Sequence, residues 1–207
     1  MTDDYIYKGA EAEIVPSTYL GKPVILKKRI SKSYRIADID QQLISSRTKE
    51  EAKLIAAARQ HGVCVPMLYD IDIHQGILTM EYINGERIKD ILNTMDQSTR
   101  TDICTTIGHH IAHLHAADII HGDITTSNMI LSQNKIYFID FGLGSFSEEI
   151  EAKGVDLHVL MEAFDSTHSQ HPQCFSSVVQ GYTDEYGKSA QAVIKKIDEI
   201  VKRGRYR

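Results

Sequence analysis

The chain has 207 residues, of which 42% are hydrophobic and 25% are charged, a composition typical of a globular protein with a buried core. Its length excludes a large multidomain protein and allows one domain or two small lobes. The net charge of −5 argues against nonspecific coating of nucleic acid, although residues 22–35 and residues 195–207 are both strongly basic.

The cysteines and the N-terminus indicate the compartment. Cys64, Cys104 and Cys174 are widely separated and form no C-x-x-C pair, so the sequence predicts neither a disulfide framework nor a zinc ribbon. Residues 1–4 carry two aspartates and no apolar segment, and no apolar run is long enough to span a bilayer. We therefore expect a cytoplasmic protein with reduced thiols and no membrane partner.

The first third of the chain predicts strands joined by tight turns. Residues 5–15 and 19–30 alternate apolar and polar side chains around Pro16-Ser17 and Gly21-Lys22-Pro23, as in the hairpins of an antiparallel sheet. Gly76–Met80 predicts a further strand.

Helices dominate the rest of the chain. Helix-forming residues or apolar stripes predict helices over residues 47–60, 98–117 and 190–201, and a hairpin is predicted over residues 128–140. This order predicts an α+β fold of two lobes. Residues 1–82 form a β-rich N-lobe, residues 83–207 form a mostly helical C-lobe, and a ligand is expected in the cleft between them.

The most informative segment is His121–Asn128, which is followed after the hairpin by Asp140-Phe141-Gly142. Phosphoryl transfer needs a carboxylate that positions the attacking group and hard oxygen ligands that hold magnesium against the phosphates. Asp123 fits the first role, and Asn128 with Asp140 fits the second. An isolated D-F-G would more often mark a turn, because aspartate commonly closes turns. The joint match to D-x-x-x-x-N and D-F-G favours phosphoryl transfer.

A lysine and a glutamate upstream complete this set. Lys27 ends the segment Val24-Ile25-Leu26-Lys27, and Glu51 lies on the helix predicted over residues 47–60. A buried lysine–glutamate pair of this kind holds the lysine on the phosphates of ATP in kinases. Lys28 and Glu50 are rivals, because only one of two adjacent strand residues faces inward. Two solvated surface charges are the remaining alternative.

Two histidine pairs could in principle hold a metal ion. His109 and His113 share one face of a predicted helix, and His168 and His171 form a second pair in a loop. No third ligand is placed beside either pair, so a zinc site is disfavoured.

Several further segments complete a family pattern that covers nearly the whole chain. The segments are Gly9-Ala10-Glu11-Ala12, Lys27–Arg35, Arg47–Ala52, His121–Asn128 with the string H-G-D-I-T-T-S-N, Asp140–Gly144, Val155-Asp156-Leu157, Ser166-Thr167-His168 and Lys202–Arg207. On these residues the chain resembles a minimal protein kinase. It is most similar to the small atypical kinases of the p53-related protein kinase family, the kinase subunit of the KEOPS/EKC complex.

The resemblance assigns roles to residues that bind the nucleotide. It implies that Lys27 binds the phosphates and that Glu51 is its helix partner. It also implies that Gly9 lies in the hairpin covering the nucleotide, and that Glu81 and Tyr82 form the hinge that meets the adenine. ATP and magnesium, or manganese in its place, are the implied cofactors.

The catalytic loop both resembles and departs from that of ordinary protein kinases. Asp156 matches an aspartate that braces this loop. Gly122 replaces the arginine of H-R-D, so no arginine is available there to pair with a phosphorylated loop. Thr125 replaces the usual lysine, and the short segment 143–154 lacks A-P-E. A docking platform for peptide substrates is therefore not expected.

The family implies a Ser/Thr kinase or ATPase that autophosphorylates or hydrolyses ATP. Ser145 and Ser147, in the short loop after D-F-G, are candidate sites of autophosphorylation, although serines in loops more often form turns. This activity would support threonylcarbamoyl modification of tRNA adenosine, beside a threonylcarbamoyl transferase subunit and with a small subunit on the N-lobe.

The basic tail is expected to be flexible beyond the last helix and, by the resemblance, to bind tRNA through Arg203, Arg205 and Arg207. Two alternatives stay open: a RIO-like or small-molecule kinase, and a nucleotide-binding scaffold without turnover.

Overall fold

The computed structural model describes residues 7–8 and 11–204, which pack into two units. Unit 1 contains the chain up to Ala56 together with Pro66–Asn84, and unit 2 contains Ala57–Val65 and the chain from Gly85 onward. The lobe boundary between residues 82 and 83 stays a prediction.

Unit 1 is built on an antiparallel five-stranded sheet with the strand order β1-β2-β3-β5-β4. Its strands are β1 (Tyr7–Lys8), β2 (Ala12–Tyr19), β3 (Lys22–Arg29), β4 (Leu68–Asp72) and β5 (Ile77–Glu81). Helix α1 (Ala37–Gln60) lies between β3 and β4 in the chain. Its Ala52 is buried with Leu78 and Met80 of β5, and Ile25 and Leu68 pack against this cluster. Burial of these apolar side chains stabilises the helix against the sheet.

The turn predicted at Pro16-Ser17 is wrong. Both residues lie inside β2, and the turn to β3 is formed at Leu20 and Gly21, which have positive φ angles of 48° and 76°. Pro16 lies opposite Ile25 of β3, so this proline is accommodated within a paired strand.

Helix α1 is longer than the sequence predicted. It runs from Ala37 to Gln60, whereas helix formers indicated a start at residue 47. Asp38 and Asp40 lie in its first turn, where negative charge is favourable because the helix dipole is positive at that end. The serines at 45 and 46 are weaker helix formers and conceal the continuity of the helix in the sequence.

Unit 2 is mostly helical. Its helices are α2 (Ile88–Ile91), α3 (Gln97–Ala116), α4 (Ile150–Thr167), α5 (Gln173–Tyr186) and α6 (Ala190–Gly204). Short strands accompany them: β6 (Glu86–Arg87), β7 (Ile119–Ile120), β8 (Met129–Ser132), β9 (Lys135–Phe138) and β10 (Ser145–Phe146). The predicted hairpin is confirmed as β8–β9, with Gln133 and Asn134 at positive φ in its turn. Within the described residues, no helix is both long and apolar enough to cross a bilayer.

Helix α3 forms the centre of unit 2. The apolar stripe predicted for it is confirmed, because Ile103, Ile107, Ile111 and Leu114 are all buried. α3 also approaches α5 closely through two glycines. A Cβ atom on Gly108 would lie 2.1 Å from the carbonyl oxygen of Val178, and one on Gly181 would lie 2.1 Å from that of Thr105. These contacts fix α3, the element that precedes the candidate catalytic loop.

A half-buried histidine on α3 couples the stability of unit 2 to pH. The ring of His110 packs on Phe138 with centroids 5.8 Å apart. Burial, followed by repulsion from His113 and His109, lowers the pKa of His110 to about 4. The unfolded chain binds this proton near pH 6.5, whereas the folded chain does not until pH approaches 4. Folding is therefore progressively destabilised as the pH falls through this range.

Between about pH 7 and about pH 4.5, we expect the free energy of unfolding of His110→Leu to fall by about 2 kcal/mol less than that of the wild type, because the titrating group is gone. Urea unfolding at the two pH values measures this difference, and His74→Leu, at an exposed histidine, is the control. An unchanged pH dependence in His110→Leu would contradict the prediction.

Candidate active site

Strand β3 and helix α1 bring Lys27 and Glu51 together in unit 1. Nζ of Lys27 donates to Oε1 of Glu51 at 2.5 Å, and both side chains are buried. The rival residues lie elsewhere, because Lys28 is exposed and Glu50 pairs with Lys53 at 4.0 Å. The lysine–glutamate pair expected from the resemblance is therefore the one that forms.

Glu51 has a second cationic partner that the sequence analysis missed. Nη2 of Arg29 donates to Oε2 of Glu51 at 2.6 Å, and the Arg29 side chain is also buried. Residues 27 and 29 of one strand face the same side, because side chains alternate with a period of two. That alternation was the available signal, but it points to a partner only once the helix that faces β3 is known.

The expected hinge residues end strand β5. The backbone N–H of Glu81 donates to the carbonyl of Met67 at 2.8 Å, and Oε2 of Glu81 accepts from the N–H of Met67 at 3.1 Å. Tyr82 follows and is 43% exposed. Their role in adenine binding stays a prediction, and Gly9 lies outside the described residues.

In unit 2 the loop after β7 holds Asp123 and Asn128 side by side. Nδ2 of Asn128 donates to Oδ2 of Asp123 at 2.8 Å and to the carbonyl oxygen of Asp123 at 2.9 Å. A single 3₁₀ turn, Thr126–Asn128, brings the two residues into this contact. One oxygen of the Asp123 carboxylate is thereby fixed by the amide of Asn128.

Asp140 follows strand β9 in a left-handed backbone conformation, with a φ of 64°. Its Oδ1 accepts from the N–H of Gly142 at 3.2 Å, and the residue is exposed. The N–H of Ile139 donates to the carbonyl of Asn128 at 3.0 Å, so the backbone leading to Asp140 runs beside Asn128. Non-glycine residues with a positive φ are uncommon, and residues held in such conformations cluster at functional sites.

Asp156 of α4 braces the catalytic loop, as the resemblance implied. Its Oδ2 accepts from the N–H of His121 at 2.7 Å, and its Oδ1 accepts from the N–H of Gly122 at 2.8 Å. The carboxylate is buried, and Nε2 of His115 lies 3.5 Å from Oδ2. Hydrogen bonds to a buried carboxylate are stronger than those between neutral groups, so they hold the loop backbone firmly.

Gly122 is fixed by space as well as by chemistry. Its φ is 83°, and a Cβ atom there would lie 2.2 Å from the carbonyl oxygen of Leu143. The arginine found at this position in ordinary kinases would therefore collide with the segment after D-F-G. The sequence identified the missing charge, but this close approach became visible only in the structure.

His168 holds the other side of the loop. Nε2 of His168 lies 3.0 Å from Oγ1 of Thr126, and Nδ1 lies 2.7 Å from Oδ1 of Asn93. Burial lowers the pKa of His168, which favours the neutral ring that can accept the Thr126 hydroxyl and donate to Asn93. The sequence indicated His168 only as a disfavoured metal ligand and as part of the family pattern, and its contact with Thr126 was not predicted.

Among residues 7–8 and 11–204, no three or more His, Cys, Asp or Glu side chains come together as a metal site. Nε2 of His113 instead lies 2.9 Å from Oε1 of Glu185. Magnesium prefers oxygen ligands and binds through one or two carboxylates. The carboxylate of Asp140 and the amide oxygen of Asn128 fit this preference, since the amide nitrogen of Asn128 is already used by Asp123.

Comparison with known proteins assigns the family. A family model for the RIO domain matches residues 25–153. The chain is 45% identical over 210 residues to the KEOPS complex subunit Bud32 of Pyrococcus abyssi. This match covers 98% of this chain and 96% of that protein. The chain belongs to the RIO-domain family, and within it to the Bud32 proteins. The kinship with the KEOPS kinase subunit is thus confirmed. RIO-like kinases, which the sequence analysis kept as an alternative, belong to the same family.

Two further matches concern length and fold. The chain is 45% identical over 207 residues to a probable bifunctional tRNA threonylcarbamoyladenosine biosynthesis protein of Methanobrevibacter smithii, and it spans 37% of the length of that relative. The Rio2 kinase of Chaetomium thermophilum, solved with ADP/Mg²⁺ and phosphoaspartate, has a TM-score of 0.63 and 14% identity, and the match covers 93% of this chain and 70% of that chain. This likeness confirms the predicted protein-kinase-like α+β fold.

The basic tail differs from the prediction at Arg203. Arg203 was expected beyond the last helix, but it lies inside α6, and its Nη2 donates to Oε1 of Glu151. α6 is strongly amphipathic up to its end, so the helix continues through this residue. Arg205 and Arg207 lie outside the described residues.

We expect Asp156→Asn to destabilise the protein by about 1–3 kcal/mol, because an amide N–H₂ would replace one oxygen that accepts a loop N–H. Chemical denaturation measures the loss, and Asp165→Asn, at an exposed position of the same helix, is the control. Equal stabilities of the two variants would show that Asp156 does not brace the loop.

Proposed function

We propose that this protein is a Mg-ATP-dependent phosphotransferase that either autophosphorylates on serine or threonine or hydrolyses ATP. The observation that carries the proposal is the Asp123–Asn128 pair on a loop held by Asp156. A carboxylate fixed in this way beside an amide oxygen supplies both a group that positions the nucleophile and a metal ligand. Membership in the RIO-domain family supports the same reaction.

Asp123 would orient the acceptor of the phosphoryl group. Because Asn128 occupies Oδ2, Oδ1 of Asp123 is the oxygen placed to accept the proton of a water molecule or hydroxyl group. The acceptor oxygen bonds to the γ-phosphorus as the bond to the ADP oxygen breaks, and the proton passes from Asp123 to solvent. Positioning and electrostatics dominate this chemistry, so little else is required of the loop.

Other side chains would bind the nucleotide. Lys27 would contact the phosphates, while the carboxylate of Asp140 and the amide oxygen of Asn128 would hold magnesium, or manganese. The metal neutralises charge on the phosphates as the γ-phosphoryl group transfers. Glu81 and Tyr82 would meet the adenine through their backbone.

We further propose that ATP use supports tRNA threonylcarbamoyladenosine biosynthesis in a KEOPS-like complex. The partners would be a threonylcarbamoyl transferase and a small subunit that binds the N-lobe. The support is similarity to a protein named as a KEOPS subunit and to one named for this biosynthesis. A cytoplasmic location fits this role and stays a prediction.

The decisive experiment follows the γ-phosphate of labelled ATP with magnesium, with and without tRNA and a transferase partner. We expect Asp123→Asn and Asp140→Asn each to lower turnover by about 100-fold or more, because each removes a group used in the transition state. Asp165→Asn is the matched control. Manganese should replace magnesium, and chelation should stop the reaction.

The distribution of the label separates the possible activities. Label on this chain would show autophosphorylation, and free phosphate would show hydrolysis. Variants as active as wild type would overturn the assigned roles. Nucleotide binding without turnover under every condition would leave a scaffold in place of an enzyme.

The tail provides a separate test of tRNA binding. We propose that Arg203, Arg205 and Arg207 contact tRNA phosphates. The double variant Arg205→Ala/Arg207→Ala is expected to weaken binding and to reduce the slope of log K against log salt by about 1–2, since two phosphate contacts are lost. Arg203→Ala should have a smaller effect, because Glu151 competes for that guanidinium.

Binding is measured by fluorescence anisotropy of labelled tRNA over a series of salt concentrations. Lys188→Ala, which removes an exposed positive charge of unit 2, is the control. An unchanged salt slope in the double variant would remove the tail from the interface.

A further inference from the structure

The carboxylate of Glu51 is held by two cations of the same strand. Oε1 accepts from Lys27 at 2.5 Å, and Oε2 accepts from Arg29 at 2.6 Å. All three residues are buried, with an exposed fraction of 1% for Glu51, 6% for Lys27 and 7% for Arg29. Each cation uses its own oxygen, so the two ion pairs form side by side without competing for one acceptor.

Arg29 is anchored independently of Glu51. Its backbone N–H donates to the carbonyl of Gly76 at 3.0 Å, in the turn before β5. A Cβ atom on Gly76 would lie 3.4 Å from Cβ of Arg29 and 2.4 Å from Cγ2 of Ile44, so this turn is closely packed around the arginine. The guanidinium therefore extends from a fixed point toward Glu51.

The two cations differ in the way they bind a carboxylate. Arginine stays charged at all relevant pH values, and its planar guanidinium presents donors in a rigid arrangement. Lysine is a compact charge on a flexible stem, which suits a group that must also reach a ligand. The chain places the rigid cation on Oε2 and the adaptable one on Oε1.

Burial makes this division of roles important. Removing the sole partner of a buried ion pair is strongly destabilising, because it leaves an uncompensated charge in a medium of low dielectric. Nζ of Lys27 has three donors, so it can bond to Glu51 and contact a phosphate at the same time, and the pairing with Glu51 positions it for that contact. Arg29 fixes the second oxygen of Glu51, which keeps Oε1 directed at Lys27.

The guanidinium also carries an unmet donor. Nε of Arg29 is buried and makes no hydrogen bond within the described part of the chain. Leaving a buried donor unpaired is destabilising. An arginine retained for stability alone would be expected to satisfy all of its donors, so the unmet Nε is consistent with a role tied to Glu51.

We propose that Arg29 is a positioning residue that holds Glu51 independently of Lys27, so that Glu51 in turn keeps Lys27 positioned for the nucleotide phosphates. The part that concerns Lys27 and ATP rests on the proposed function. The part that concerns Glu51 does not, and the two are tested separately.

The first test is a double-mutant cycle of thermal unfolding without nucleotide. Lys27→Met and Arg29→Met each leave Glu51 with one cation, whereas the double variant leaves its buried carboxylate with neither. The fall in melting temperature of the double variant should exceed the sum of the two single falls. Additive falls would overturn the proposal, whatever the activity of the protein.

The second test separates KM for ATP from kcat. In Arg29→Met, Glu51 loses the contact that fixes its Oε2 and positions Lys27 less well, so KM for ATP should rise about tenfold while kcat changes by less than about threefold. Arg29→Lys keeps a cation at this position and should restore most of the wild-type KM. Lys28→Met, which removes an exposed charge from the same strand, is the control.

The outcomes distinguish the inference from the proposed function. A lower melting temperature with an unchanged KM in Arg29→Met would show a structural arginine and overturn the proposed effect on Lys27. If wild-type protein shows no turnover, the proposed function fails, and the unfolding cycle still decides whether Arg29 holds Glu51.

Discussion

The candidate site of unit 2 depends on one buried carboxylate. Asp156 lies on α4, yet its two oxygens accept the N–H groups of His121 and Gly122, which precede Asp123. Since those N–H groups point at a charge in a dry environment, the loop has little freedom to change conformation. The contact between Asn128 and Asp123 and the bond from Ile139 to Asn128 then follow from a backbone that is already fixed.

Unit 1 relies on a buried charge of the same kind in a different arrangement. Glu51 collects two cations from β3, whereas Asp156 collects backbone donors. In both cases a carboxylate on a helix, α1 or α4, fixes residues that belong to another element. Buried charges need such full compensation, so each carboxylate specifies the position of its partners more narrowly than apolar contacts could.

The sequence predicted the outline of the fold and the residues of the candidate site. The D-x-x-x-x-N and D-F-G spacings singled out Asp123, Asn128 and Asp140, whose short separation along one loop and one hairpin limits their distance in space, and their roles stay predictions. The apolar stripe of α3 was equally accessible, since helix periodicity is a local property. The turn expected at Pro16 failed because proline also occurs within strands, and its position in the sheet depends on pairing with β3, which the local sequence does not show.

Residue order by itself therefore determined the family pattern, the helical and strand periods and the local catalytic motif. Tertiary structure alone decided that Arg29 shares Glu51, that His168 holds Thr126 and that Gly122 must lack a side chain beneath Leu143. It also placed Arg203 within α6 beside Glu151. Each of these contacts joins residues far apart in the chain, and local periodicity carries no information about which distant element will face a given side chain.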